Sequence, residues 1–495
     1  MHKPMRKMTR KPTRFAPLFA AALLAGCMSG PDYRPPASLG EPAATGAFVS
    51  QAKGTDPDAP LPADWWRLYD DPALDTIIEA ALAANTDLRA ADANLRRARA
   101  VLSEARAGRY PTTTTNGGAT WGRGMTSQGG AYNTDAGHEG WSEHGGITAA
   151  WEVDLFGRVG RAIEAARGDA DAVAAARDAV RVSVVAETTR AYSQACALGD
   201  SIAVARESLA LTESSYRIAA AQQQAGSAST LDLERAGAAA ANARAAVPPL
   251  EAQRKVALFE LAALMGRTPS GIPASASACV RPPTLRRPIP IGDGAALLRR
   301  RPDVRQAERT LAADTARVGV AIADLYPRIS LGGAFNALHS GSGQFGPAVS
   351  FSLGPLITWS FPNILVARAR IRQARASADA DLARFDGVVL TSLKETEQAL
   401  TRYAAALDEQ TALAEARDRS ERAFRLADLR YRAGSISQLD QIVAQTSLTD
   451  ARAKLAAANL RIASDRVDVF KALGGGWEDV PPEEAPATGS GQTRP

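Results

Sequence analysis

The chain has 495 residues, 58 Lys plus Arg against 53 Asp plus Glu, a formal net charge of +5, 45% hydrophobic residues and only 6% aromatic ones. That content excludes a disordered chain and a compact aromatic core, and no apolar run reaches the roughly 18 residues of a membrane-spanning helix, which excludes an α-helical transporter. The positive excess is local: Lys3, Arg6, Lys7, Arg10, Lys11 and Arg14 sit in a first stretch without acids, and without these six the chain carries 52 basic against 53 acidic residues, so no nucleic-acid partner is called for.

Residues 1–26 read as an export signal: a basic start, a short apolar run from Phe15 to Leu24, then small residues. Leu24-Ala25-Gly26-Cys27 resembles the lipobox of bacterial lipoproteins. The resemblance implies a covalent lipid on Cys27 (S-diacylglycerol with an N-acyl or palmitoyl chain) and no other cofactor. Met28, in place of an Asp, resembles lipoproteins sorted to the outer membrane. A plain signal peptide with an incidental cysteine is the other reading. Residues 27–63, rich in Pro, Gly and Ser, read as an extended, lipid-anchored tether, and 478–495 as a disordered tail.

Prolines then mark the helices. None occurs between Pro111 and Pro248 or between Pro362 and Pro481, and both stretches are rich in Ala, Leu, Arg, Glu and Gln. Val389, Leu393, Thr396, Leu400, Tyr403, Leu407, Thr411 and Ala414 step mostly by four and three, a seam on a helix from about Ile364 to about Ala433. At 1.5 Å per residue such a helix spans on the order of 100 Å.

The chain is also duplicated. Asn85-Thr86-Asp87-Leu88-Arg89 matches Arg301-Pro302-Asp303-Val304-Arg305, and Tyr110-Pro111 matches Tyr326-Pro327, at an offset of 216. Beyond the following loops the offset is 208: Trp151 with Trp359, Glu187-Thr188 with Glu395-Thr396, Ala225-Gly226-Ser227 with Ala433-Gly434-Ser435, Leu231-Asp232 with Leu439-Asp440, Gly266 with Gly474. The first copy spans 64–266, a linker 267–292, the second copy 293–477. Each reads helix, strand, loop, strand, very long helix, turn, helix. Strands are predicted at about 112–122 and 146–154, and at 328–338 and 347–357, where Ile329, Leu331, Gly333 and Phe335 and then Val349, Phe351 and Leu353 alternate with small or polar residues. Segments of about ten alternating residues have the length of a transmembrane β-strand. A soluble hairpin with one buried face has the same pattern. Four strands cannot close a barrel, eight fill their own interior and twelve leave a lumen, so a channel of this chain requires a trimer or larger.

The residues resemble the TolC/OprM-like outer-membrane factor family, in its NodT-like multidrug efflux lipoprotein branch. The likeness rests on Cys27-Met28-Ser29-Gly30-Pro31-Asp32-Tyr33, Trp65-Trp66 with Tyr69-Asp70-Asp71-Pro72, Trp151-Glu152-Val153-Asp154-Leu155-Phe156-Gly157-Arg158, Arg300-Arg301-Pro302-Asp303-Val304-Arg305, Tyr431-Arg432-Ala433-Gly434 and Ala472-Leu473-Gly474-Gly475-Gly476-Trp477. It implies a mixed α and transmembrane β fold. In a homotrimer this means a 12-stranded barrel in outer-membrane lipid, a long α-helical barrel in the periplasm, and an equatorial region that includes the linker. It implies work with a periplasmic adaptor (membrane fusion) protein and a resistance-nodulation-division inner-membrane pump. The chain would be the passive efflux duct and no enzyme.

The tips near 226 and 434 are then the candidate periplasmic gate and adaptor contact: Gly226, Ser227, Leu231 and Asp232, with Arg432, Gly434, Ser435, Leu439 and Asp440. Three chains would place six Leu and six Asp around the axis, and carboxylate rings select cations. In some relatives an acidic ring sits about a turn later, where this chain has Val443. The same aspartates could equally cap the helices that follow them. Other chemistry is weak. His138, His144 and His339 fall in predicted inter-strand loops without a metal pattern, and Gly341-Ser342-Gly343 lacks the flanks of a hydrolase elbow. Cys196, mid-helix, and Cys279, in the linker, read as unpaired small residues, although a disulfide is allowed. A lipid-anchored periplasmic coiled-coil structural protein and a type I protein-secretion duct are the alternatives; only ducts need the strands.

Overall fold

The computed structural model describes residues 28–37, 42–50, 53–123, 126–128, 131–133, 139–340, 348–361 and 364–477. The signal segment 1–26, Cys27, His138, Gly341-Ser342-Gly343 and the tail 478–495 lie outside the described residues.

The first copy runs α1 (Pro72–Ala84), α2 (Thr86–Ala107), β1 (Thr112–Arg123), β2 (Thr126–Gln128), β3 (Ala131–Asn133), β4 (Glu139–Val153), α3 (Arg158–Gln224) and α4 (Thr230–Leu264). The second runs α5 (Gly294–Arg300), α6 (Pro302–Ala323), β5 (Arg328–Ser340), β6 (Ala348–Thr358), α7 (Ile364–Arg432) and α8 (Gln438–Ala472). The long helices have 67 and 69 residues. Contrary to the proline argument, α4 continues through Pro248 and Pro249. In the heptad seam of α7, Val389, Thr396, Leu400 and Tyr403 are buried, Leu393 and Leu407 half-buried, and Thr411 exposed.

Duplication is visible in single hydrogen bonds. Trp151 Nε1 donates to the carbonyl of Arg109 at 2.9 Å, and Trp359 Nε1 to that of Leu325 at 3.2 Å. Asn85 Nδ2 donates to Leu264 O at 3.0 Å, and Arg301 Nη1 to Ala472 O at 2.9 Å. Leu264 and Ala472 each close the last turn of their copy, where the backbone carbonyls lack helical partners. The helices that begin just after Asn85 and Arg301 are thereby tied to the ends of the copies.

Two compact units emerge, and neither follows the repeat. One combines the segment ending at Arg34 with Arg96–Ala172 and Glu308–Ala383; the other combines Pro35–Leu95, Val173–Ala307 and the chain from Arg384 onward. The second unit holds the main core, in which Trp65 stacks on Phe470 at 4.3 Å among Ile77, Ile78, Leu261, Leu297 and Leu400. Thr55–Asp56 pairs in parallel with Ile289–Pro290, and Phe48 and Leu61 are buried. The stretch expected to be an extended tether is thus partly built into this core, because its few apolar residues have a surface to cover.

Cys196 and Cys279 are bonded to each other, with Cα atoms 4.9 Å apart. Of the two readings the sequence leaves open, the disulfide is the one that forms: 83 residues separate the cysteines in the chain, but the linker folds back on α3. Arg254 on α4 holds the same loop, donating to the carbonyls of Ser277 and Cys279 at 2.7 Å each.

Candidate channel wall and helix-turn tips

The first unit contains one four-stranded antiparallel sheet in the order β1-β4-β5-β6. Its register puts directly opposed residues on the same face. One face carries Trp121 and Trp141, Ile147 opposite Phe335, Phe335 opposite Phe351, Trp151 opposite Leu331, and Leu353 opposite Gly333. Phe351 is 85% and Leu353 81% exposed, so none of the described residues covers this face there. The other face carries Thr112, Thr114, Asn116, His144, Thr148, Ser330, Asn336, Ser350 and Ser352. His144 lies on β4 and His339 on β5 rather than in loops, since both strands extend beyond their alternating apolar cores.

Aromatic residues bracket the apolar face. Trp121 meets Trp141 edge-on at 5.7 Å at one end, while Trp151, Trp359 and Phe361 mark the other. Ten residues separate Trp141 from Trp151 on β4, a rise of about 33 Å that a strand tilt of about 40° reduces to about 25 Å, the height of the lipid-facing band of an outer-membrane barrel.

The residues that follow Cys27 are seated in the same unit. The backbone N–H and hydroxyl of Ser29 both donate to the carbonyl of Phe156. Buried Arg161, on the first turn of α3, donates to Ser29 O at 3.1 Å and to Asp32 Oδ1 at 2.6 Å, and Tyr33 Oη donates to Glu308 at 3.0 Å. The seat requires glycine: a Cβ on Gly30 would lie 2.5 Å from Gly319 Cα. Burial and the nearby carboxylate of Glu308 push the Tyr33 hydroxyl upward in pKa.

The tips lie in the second unit. Gly226 and Gly434 have φ of +74° and +71°, where glycine carries no Cβ penalty. Ser227 N–H reaches Gln222 O at 2.8 Å and Gly226 N–H reaches Gln223 O at 3.0 Å; Ser435 to Arg430 O and Gly434 to Tyr431 O repeat the pair at 2.9 Å. Both long helices therefore end in a Schellman motif. The Ser227 and Ser435 hydroxyls add bonds to the same Gln222 and Arg430 carbonyls, 3.0 Å each.

Three residues beyond each glycine a capping box starts the next helix. Ser229 Oγ accepts from Asp232 N at 3.2 Å while Asp232 Oδ2 accepts from Ser229 N at 3.3 Å; Ser437 and Asp440 do the same at 3.2 and 3.1 Å. Each serine hydroxyl also donates to its aspartate at 2.7 Å, and these bonds hold both carboxyls below the usual carboxylate range. The serines are the N-caps, and the aspartates are their N3 partners, whose carboxylates complete the capping boxes. Leu231 and Leu439 are 58% and 42% exposed, and Arg432 pairs with Asp428 at 2.9 Å. The sequence reading missed the partners Ser229 and Ser437, legible as S-x-x-D before a helix, and the bond from Tyr431 Oη to Gln222 Oε1, 2.6 Å, which joins the two tips directly.

Comparison with known proteins agrees with this architecture. The chain is 29% identical over 467 residues to Nodulation protein T of Rhizobium leguminosarum bv. viciae, which covers 94% of each chain. It is 29% identical over 477 residues to the toluene efflux pump outer membrane protein TtgC of Pseudomonas putida, covering 92% of this chain and 94% of that one. It superposes on the outer-membrane channel OprN with a TM-score of 0.82 and 34% identity, over 91% of this chain and all of that one. The family model described as Outer membrane efflux protein matches residues 77–267 and 295–475, the two copies of the repeat, and the chain belongs to that family.

Proposed function

We propose that three copies of the chain close a twelve-stranded barrel in the outer membrane and form, with their long helices, the passive duct of a tripartite efflux system. A resistance-nodulation-division type pump in the inner membrane supplies the energy, and a periplasmic adaptor couples it to the duct. The cargo is small toxic compounds. Cys27, carrying S-diacylglycerol and an N-palmitoyl chain, tethers each copy; Arg161 and Gly30 seat the segment just after it.

The observation that carries this reading is the sheet: one face bears the exposed aromatic and aliphatic side chains, the other mostly hydroxyls and amides with Leu338 and Leu356 among them, and among the described residues both edges, β1 and β6, are unpaired. Lipid does not tolerate open edges, so β6 must pair with β1 of another copy. A coiled-coil spacer has no use for such a sheet. The name of TtgC, an efflux pump component, supports the efflux reading over protein secretion.

The tips are the gate and the adaptor contact, closed by the Tyr431–Gln222 bond and carrying the Leu231, Leu439, Asp232 and Asp440 side chains around the axis. Purified protein added to a planar lipid bilayer tests the function. Discrete conductance steps are expected, and Asp232→Ala with Asp440→Ala lowers cation preference. A protein that inserts without conducting would refute the duct, and unchanged selectivity in the double variant would remove the aspartates from the gate.

A further inference from the structure

Immediately beyond the sheet, the chain is strongly basic on two helices. From 96 to 110, over the end of α2 and the turn after it, stand Arg96, Arg97, Arg99, Arg106 and Arg109 against the single acid Glu104. From 364 to 378, at the start of α7, stand Arg368, Arg370, Arg372 and Arg375 and no acid. All nine arginines are exposed. Among the described residues only Arg370 has an ion pair, a 3.8 Å contact to Asp324. Arg368, Arg372 and Arg375 follow at four and three residues, which stacks them on one helix face. Next to them, beyond the end of β6, stand Trp359, Phe361, Ile364 and Leu365, all exposed.

The topology brings these two basic stretches together. β1 starts and β6 ends at the same end of the antiparallel sheet, and they are its two edges. Closing the barrel, as proposed above, sets β6 of one copy beside β1 of the next. The first turns of α7 in one copy then stand beside the last turns of α2 in its neighbour. Like charges would face each other across every seam, at the depth where the apolar band ends. Such an arrangement is repulsive unless an anion occupies it.

We infer that each seam binds the phosphate of a membrane phospholipid, held by Arg368, Arg372 and Arg375 of one copy and Arg99, Arg106 and Arg109 of the next, with the acyl chains on the adjoining apolar surface. Guanidinium groups suit phosphate by their paired donors, and basic residues just outside a bilayer attract anionic headgroups. Bound lipid would thus join neighbouring copies at the one place where their own side chains repel.

The site depends on barrel closure, so the test reads both at once. The full-length protein in neutral detergent is titrated with phosphatidylglycerol, and lipid-bound species are counted by native mass spectrometry. Parallel arms use phosphatidylcholine of the same chain length and inorganic phosphate. The wild-type trimer is expected to bind phosphatidylglycerol in preference to phosphatidylcholine, and inorganic phosphate is expected not to displace it. Each arginine near an anionic headgroup is worth roughly a factor of five, so Arg368→Gln/Arg372→Gln/Arg375→Gln should weaken binding roughly a hundredfold. Arg99→Gln/Arg106→Gln/Arg109→Gln should give the same loss from the other wall. Equal binding of the two lipids, full displacement by phosphate, or unchanged binding in either variant would overturn the site. Absence of a trimer in the wild-type spectrum would instead refute barrel closure.

Discussion

The hydroxyl of Tyr431 donates to Oε1 of Gln222 at 2.6 Å, so the last turn of α7 is bonded to the last turn of α3 and the tips of the two copies are held as a pair. Further along, buried Ser215 donates to Gln445 at 2.7 Å and reinforces the same arrangement. A neutral hydrogen bond contributes about 1 kcal/mol, little enough for a partner to break and enough to hold a closed state. Tyr431→Phe deletes the donor without altering the ring. Its closed-state conductance in planar bilayers is expected to rise above that of the wild type, and Gln222→Ala should match it. Wild-type leak in both variants would take this bond out of the gate.

The tip aspartates set a pH limit. Both carboxyls sit below their ordinary value of 3.8 because their serine partners bond the ionised form. A lowered folded-state pKa gives a contribution that is complete above the ordinary value and is lost as pH falls through the lowered one. Cation preference is therefore expected to stay flat between pH 8 and 5 and to decline only below about pH 4. Reversal potentials across that range measure it. A decline between pH 7 and 5 would show that other groups set the selectivity.

The disulfide closes a loop over an 83-residue separation. In the chain-entropy picture such a crosslink stabilises by about 4 to 5 kcal/mol, and native disulfides generally contribute about 2 to 5. Replacing Cys196 and Cys279 by Ala should lower the thermal midpoint and expose the 272–288 segment to protease while leaving open-channel conductance unchanged. An unaltered proteolytic pattern would mean that Arg254 and the Thr55–Asp56 pairing hold the linker unaided.

The two faces of the sheet should respond oppositely to charge. Phe335, flanked by Ile147 and Phe351, lies near the middle of the apolar band, while its chain neighbour Asn336 points to the polar face. Phe335→Arg is expected to cost about 2 to 4 kcal/mol of membrane-inserted stability, and Asn336→Arg to change conductance at little cost. Urea unfolding of protein inserted in vesicles compares them. Equal costs would contradict the assignment of faces.

Local chemistry made much of this architecture readable. Gly226 and Gly434 announce the turns because a left-handed position wants glycine, and the outer-face alternation of Ile329 to Phe335 announces a strand because its period is two. What stayed hidden depends on neighbours distant in the chain. β4 begins at Glu139 rather than near 146 because its outer half pairs with β1 and β5, although Gly140, Gly145 and Gly146 carry no pattern of their own. Cys279 meets Cys196 only once the linker has folded. Asn85 and Arg301 differ in sequence yet bind equivalent carbonyls, a likeness that only coordinates display. The aspartates of the tips serve the helix starts not as N-caps but as the N3 partners of Ser229 and Ser437, a role that needs the serine three residues earlier.

The number of chains that share the barrel decides the account most directly. Native mass spectrometry of the detergent-extracted, lipid-bearing protein should give a single assembly of three chains, since four strands from each make the twelve that leave a lumen. A two-chain assembly, whose eight strands would fill their own interior, or a lone chain would contradict it.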